Sequence, residues 1–231
     1  MGKYNEGELR GEFLKLPATT EQVQALLARI KVDGVMYEEY FITDYSHNYA
    51  GMQNLGEYES IDELNYLASL LDEMDEWDLA KFEAAAAYGA DAGSVKELIN
   101  LAQNLDCYEF YPDVEDYDDL GHYLIDELDY ESIPEHLVDY FDFSSYGEAY
   151  VINEGGEFLK DGGFVFRNSV DLAEIYDGRN VPDKHKIFAY PPQDKSISKT
   201  LAAYSQMIAD IPKAITERPL AIEARPAYEG R

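Results

Sequence analysis

Between Val32 and Leu159 the chain carries 33 carboxylates and only two cations, Lys81 and Lys96. From Glu97 to Leu159 there is no lysine or arginine at all. Surfaces of one sign repel themselves and cost stability, so a folded domain ordinarily mixes both charges. The stretch is not a disordered acidic tract, because Leu, Ile, Tyr and Phe recur among the acids at regular spacing. The whole chain is 46% apolar and 13% aromatic, enough to bury a core. Such a sequence must fold into elements that bury one face and leave a carboxylate-lined face in water. Twenty tyrosines against one tryptophan suit half-buried faces of this kind, since a phenol joins an apolar ring to a polar tip.

The asymmetry is local. Residues 1–150 hold 35 acids and 7 bases, whereas residues 151–231 hold 12 acids and 11 bases. Adaptation of a whole proteome to salt would acidify both parts, so the field reads as serving a function. A net charge of −29 excludes nucleic acid or anionic lipid as a partner of the general field. The single Cys107 excludes an intramolecular disulfide framework and fits a reducing compartment. No run of 18 apolar residues occurs and the first residues lack a signal-peptide pattern, so a soluble, cytoplasmic protein is expected.

Four capping-box patterns punctuate the chain. Thr19-x-x-Gln22 precedes the stripe Val23, Leu26, Leu27, Ile30. Ser60-x-x-Glu63 opens a helix with Leu64, Leu67, Leu71 and Met74 inward and Asp62, Asp72, Glu73, Asp75 and Glu76 mostly toward water. Ser94-x-x-Glu97 opens one bearing Val95, Leu98, Ala102 and Leu105, and Ser132-x-x-Glu135 one bearing Leu137, Tyr140 and Phe141. Further helices are expected over about 79–88 and 118–128. Strands are expected at Glu8–Leu16, Tyr40–Asp44 and Ala149–Asn153, with a hairpin pairing Glu157–Lys160 and Phe164–Arg167 around Lys-Asp-Gly-Gly. The expected fold class is α+β, an elongated chain of three small modules: 1–60 mixed, 61–105 helical, 106–168 mixed. Residues 169–231, richer in proline and cations, read as an extension or linker with one amphipathic helix over about 196–211, carrying Ile197, Leu201, Tyr204 and Ile208.

Motifs for chemistry are weak. Asp113-Val-Glu115-Asp116-Tyr117-Asp118-Asp119 is dense in oxygen ligands, but Tyr117 stands at the fifth position of a would-be calcium loop and no glycine follows in register. His122 and His136 lie on different expected helices, and His47 and His185 stand alone, so no zinc spacing exists. Phosphate-binding glycine loops and nucleophile elbows are absent, and Cys107 has no flanking cation to activate it. No cofactor, metal or catalytic group is therefore assigned. An array of exposed acids on helix faces differs from a carboxylate pair with shifted pKa values in a shielded cleft.

Duplex DNA carries about one negative charge per ~1.7 Å of axis. Two copies of this chain hold twice −29 charges, the complement of roughly 100 Å of duplex. Carboxylates at phosphate-like spacing can occupy the basic groove of a DNA-binding enzyme, with the same electrostatic steering as DNA.

Residues 2–168 also contain an ordered series of motifs: Gly2-Lys-Tyr-Asn-Glu-Gly-Glu-Leu9, Tyr37-Glu-Glu-Tyr40, Ile42-Thr-Asp-Tyr45 and Ile61-Asp-Glu-Leu-Asn65. It continues with Tyr123-Leu-Ile-Asp-Glu127, Ile133-Pro-Glu-His-Leu137, Asp139-Tyr140, Tyr146-Gly147 and Gly156–Phe166. In these the chain resembles the ArdA antirestriction family. The resemblance implies a DNA mimic of three small domains that dimerises through the third. It would occupy the DNA groove of type I restriction–modification enzymes, at their methyltransferase core, and block cleavage and often methylation. It implies a homodimer that binds no DNA itself. The family's antirestriction motif falls at about Leu120–His136, which makes Asp126, Glu127, Asp129, Glu131 and Glu135 phosphate substitutes. Asp62, Glu63, Asp72, Glu73, Asp75, Glu76, Asp113, Glu115, Asp116, Asp118 and Asp119 join them as candidate partner-binding acids. Tyr123, Leu124, Leu137, Tyr140 and Tyr146 become scaffold or dimer residues. Two departures stand out: family members carry a strand before the Gly-Lys-Tyr-Asn-Glu turn at which this sequence begins, and the segment after 168 is extra. The alternative function is an acidic inhibitor or adaptor of another basic nucleic-acid-binding protein, such as a different defence nuclease or a nucleoid protein.

Overall fold

The computed structural model describes residues 10–45, 55–192 and, beyond these, 201–202, 204–206 and 208. The motif Gly2–Leu9, the first residues of the Glu8–Leu16 strand, His47 and Ile197 lie outside the described residues. Three of the four capping boxes open helices as read. Helix α1 (Thr20–Ile30) has the full reciprocal box between Thr19 and Gln22. The Ser60 hydroxyl accepts from Glu63 N at the start of α2 (Ile61–Asp72), and Ser94 from Glu97 N at the start of α4 (Val95–Ala102). Between them, α3 (Glu76–Tyr88) is capped by Asp75 and ended by Gly89 in the left-handed region.

A three-stranded antiparallel sheet follows, in the order β1 (Tyr108–Tyr111), β3 (Phe164–Arg167), β2 (Glu157–Phe158). Tyr108 pairs with Arg167 and Tyr111 with Phe164, while Phe158 pairs with Phe164 from the other side. The central strand is buried on both faces. Val165 joins the core built by α2, α3 and α4 (Leu67, Phe82, Leu98, Ile99 and Leu101), and Phe164 and Phe166 join a second core with Tyr111, Val114, Leu120 and Leu124. Alternation along a strand thus makes one Phe-Val-Phe run serve two cores. A third cluster gathers Val23, Leu27 and Val32 of the α1 region with Ile187.

Several expectations are corrected. Ala149–Asn153 is no strand but part of α6 (Phe143–Glu154), capped by Asp142. The helix is chosen by its partner α5 (Tyr117–His122), because Gly147 lets the two backbones meet. The helix expected over 118–128 is present as α5 continued by a π-helical turn at Tyr123–Glu127, and it closes with Asp129 at φ 50°. Ser132 caps nothing; Glu135–Tyr140 is a 3₁₀ turn after an extended Pro134, with no residue buried. The described part of Glu8–Leu16, and Tyr40–Asp44, are not strands; Leu14, Leu16 and Ile42 pack by side chain, and Ile42 N donates to Glu57 O at 2.8 Å. Strand β1 carries no signal in the sequence, because Tyr-Glu-Phe-Tyr is too short to show a period.

By contact density the chain divides into two units, 1–191 and 192–231. Residues 169–191 therefore belong with the helices and sheet, although their composition reads as linker. They bury Tyr176, Val181, His185 and Ile187. In the second unit the described positions between 201 and 208 are helical, with Leu201, Tyr204 and Ile208 exposed. Among the described residues, no helix is long and apolar enough to cross a membrane.

Candidate functional site

The acids of the cation-poor stretch emerge where helices begin and end. At the α2–α3 junction Asp72, Glu73, Asp75 and Glu76 are all exposed. Asp75 is fixed by its cap, its Oδ1 accepting from Trp77 N and Asp78 N at 2.9 Å each. A carboxylate at a helix start satisfies orphan N–H groups and meets the positive end of the helix dipole, so it is accommodated there without a cation.

The same device recurs after β1. Val114 is buried and anchors the turn, leaving Asp113, Glu115, Asp116, Asp118 and Asp119 exposed around it. Asp116 Oδ1 accepts from Asp118 N at 2.9 Å and Asp119 N at 3.0 Å, and Asp119 Oδ2 accepts from Glu115 N at 3.1 Å. These bonds order the carboxylates on backbone donors. Among the described residues no three His, Cys, Asp or Glu side chains come together as a metal site.

Beyond α5, Asp126, Glu127, Asp129, Glu131 and Glu135 are exposed along the π-helical turn and the loop after it. Asp126 Oδ2 lies 2.9 Å from Nδ1 of His122, whose ring stacks on Phe143. Leu124 beneath them is fully buried, and Tyr123 leans on Tyr111 with ring centroids 4.5 Å apart. Tyr146 is half-buried against Phe141. Leu137 and Tyr140 instead face solvent, Tyr140 at 85% exposure. With Glu131, Ile133, Phe141 and Tyr146 they line an open groove of about 500 Å³.

Asp62 and Glu63 stand apart from the other acids. Asp62 Oδ1 accepts from Ile187 N and Phe188 N at 2.7 Å each, and Glu63 Oε1 accepts from Tyr176 O–H at 2.7 Å. Both are partly buried and turned to the segment 169–191. Acids that no motif marked add to the exposed set: Asp78, Asp142 and Glu148. Their signal is the absence of neighbouring cations. Asp142 is held below the ordinary carboxyl value by the N–H and hydroxyl of Ser145. Of the two lysines in the stretch, Lys96 is bonded to Glu174.

The family model described as "Antirestriction protein (ArdA)" matches residues 1–165. No curated protein matches the chain. A match over more than half of the sequence, on a fold whose acids crowd the ends of helices, shows that the chain belongs to the ArdA family of antirestriction proteins.

Proposed function

We propose that this chain is a DNA mimic that occupies the DNA-binding groove of a type I restriction–modification enzyme, at its methyltransferase core, and so blocks cleavage of incoming DNA. The observation that carries the reading is the exposed carboxylate series from Asp72 to Glu135, held on helix caps and turns in a region of 33 acids and two lysines. Fixed negative charges on a rigid scaffold take the place of phosphates in a basic groove, and the encounter is steered as it is for DNA. Three serial modules, 1–60, 61–105 and 106–168, would space those charges.

The active species in this reading is a homodimer. Leu128, Tyr130, Leu137, Val138, Tyr140 and Ile152 are exposed apolar side chains of the third module, and a second copy is the occupant that would cover them. Calorimetric titration of a purified methyltransferase core tests the proposal. Stoichiometric binding that weakens as salt rises supports it. Absence of binding, with recovery of a nucleoid protein or another nuclease from lysate, transfers the acidic surface to a different basic target.

A further inference from the structure

Asn65 on α2, Asn100 on α4 and Asn104 just past the end of α4 are buried, at 2%, 4% and 5% exposure. Buried amides are costly unless every donor and acceptor is met. Asn65 Oδ1 accepts from Ala18 N, and Asn100 and Asn104 each donate once to α4 carbonyls, of Lys96 and Asn100; their remaining partners are the main chain of one segment, 173–190. Asn100 Oδ1 accepts from Ile175 N and Tyr176 N at 2.8 Å each, and its Nδ2 donates to Tyr176 O at 2.9 Å. Asn104 grips Ala173 at both ends, accepting from its N at 2.9 Å and donating to its O at 3.0 Å. Asn65 Nδ2 donates to His185 O at 3.2 Å, and the Asp62 carboxylate accepts from Ile187 N and Phe188 N.

This is how a groove reads an extended peptide: by its backbone, with side chains set in pockets. Tyr176 fills one pocket, edge-on to Tyr66 with its hydroxyl on Glu63, and His185 stacks on the same Tyr66 ring. We infer that the α2–α4 face is a peptide-binding groove whose ligand is the chain's own segment 173–190. The segment continues onto the α1 region, where Gln24 Nε2 donates to Tyr190 O at 3.1 Å and Tyr190 O–H donates to Glu38 O at 2.8 Å. Its ring sits where a side chain on Gly34 would be, a Cβ there falling 2.4 Å from Tyr190 Cγ. The segment therefore clasps the α1 region to α2 and α4. It lies outside the 1–165 family match.

The decisive experiment inserts a protease site after the exposed Val170 of the full chain and cleaves it. The fragment from 171 onward is expected to remain with the body through gel filtration at micromolar concentration. Asn100→Ala, which removes three hydrogen bonds to the segment, is expected to weaken its retention by about tenfold or more. Complete release of the fragment from a body that keeps its helical circular dichroism overturns the inference. Hydrogen exchange on the uncut chain gives an independent reading. The amides of Ile175, Tyr176, Ile187 and Phe188 are expected to be slowed about a hundredfold or more relative to unstructured peptide, and exchange at the unstructured rate refutes the groove.

Discussion

Gly121 of α5 and Gly147 of α6 meet at a helix crossing with no room for a side chain on either. A Cβ on Gly121 would lie 2.0 Å from the Phe143 carbonyl oxygen, and one on Gly147 would lie 2.1 Å from the Tyr117 carbonyl oxygen and 3.1 Å from Gly121 N. The obstacles are backbone atoms, which cannot swing aside. Gly147→Ala is therefore expected to cost about 1–3 kcal/mol, the range of overpacked cores, in spite of alanine's better helix propensity. Urea unfolding measures it, and a stability equal to or above the parent's would show that the crossing is looser than described.

Asp116 separates charge from scaffold. It caps α5 through its side-chain oxygen, and asparagine caps as well as aspartate does. Asp116→Asn should leave the unfolding midpoint nearly unchanged, and Asp116→Ala should lower stability by about 1 kcal/mol. Both should weaken partner binding only slightly, and by the same amount, if the carboxylate contributes only its charge to a distributed field.

The acids of the π-helical turn and its following loop should act in sum. Exposed ion pairs are worth only about 0–1 kcal/mol each, so Glu127→Gln, Glu131→Gln or Glu135→Gln alone should barely change inhibition. The triple variant should bind more weakly and with a flatter salt dependence. Loss of all inhibition from one of the three, with the fold intact, would replace a distributed field by a single contact.

His185 couples the clasp to pH. Burial lowers its pKa from the ordinary 6.5, reinforced by Lys184 and opposed by Glu73, and its Nε2 is buried without a partner. A base whose pKa falls on folding is held neutral, so its site is fully stable above pH 6.5 and loses stability as pH drops through the folded value. The urea midpoint should fall between about pH 7.5 and about pH 5.5 by more in the parent than in His185→Phe, which keeps a ring against Tyr66. Equal falls would remove His185 from the linkage.

For the dimer, Tyr140→Asp places a charge at the most exposed apolar side chain of the third module. Sedimentation velocity should show the parent as a dimer and the variant as a monomer with the same circular dichroism. A parent that is monomeric throughout would leave the apolar face without its second copy.

Legibility in the sequence followed the range of each interaction. Thr19, Ser60 and Ser94 cap within three residues, and the β2–β3 hairpin closes over Lys-Asp-Gly-Gly, so local pattern was enough for these. Helix α6 looks like a strand locally because Ala149–Ile152 is a short apolar run with no helical period, and what makes it helical is Gly147 against a backbone some thirty residues away. Strand β1 depends on β3, far along the chain. Polar residues gave the least warning. Asn65, Asn100 and Asn104 look like solvent positions, and Asp62 and Glu63 look like members of the acidic face, until the segment that binds them is in place. The exposed acids themselves were readable, since a carboxylate without a nearby cation has few places to go but water.

The central claim is competition with DNA for one groove. Labelled duplex bound to a purified type I methyltransferase core should be displaced by near-stoichiometric amounts of this chain, less effectively as salt is raised. A stable ternary complex of duplex, enzyme and this chain, with the duplex undisplaced at low salt, would contradict the account.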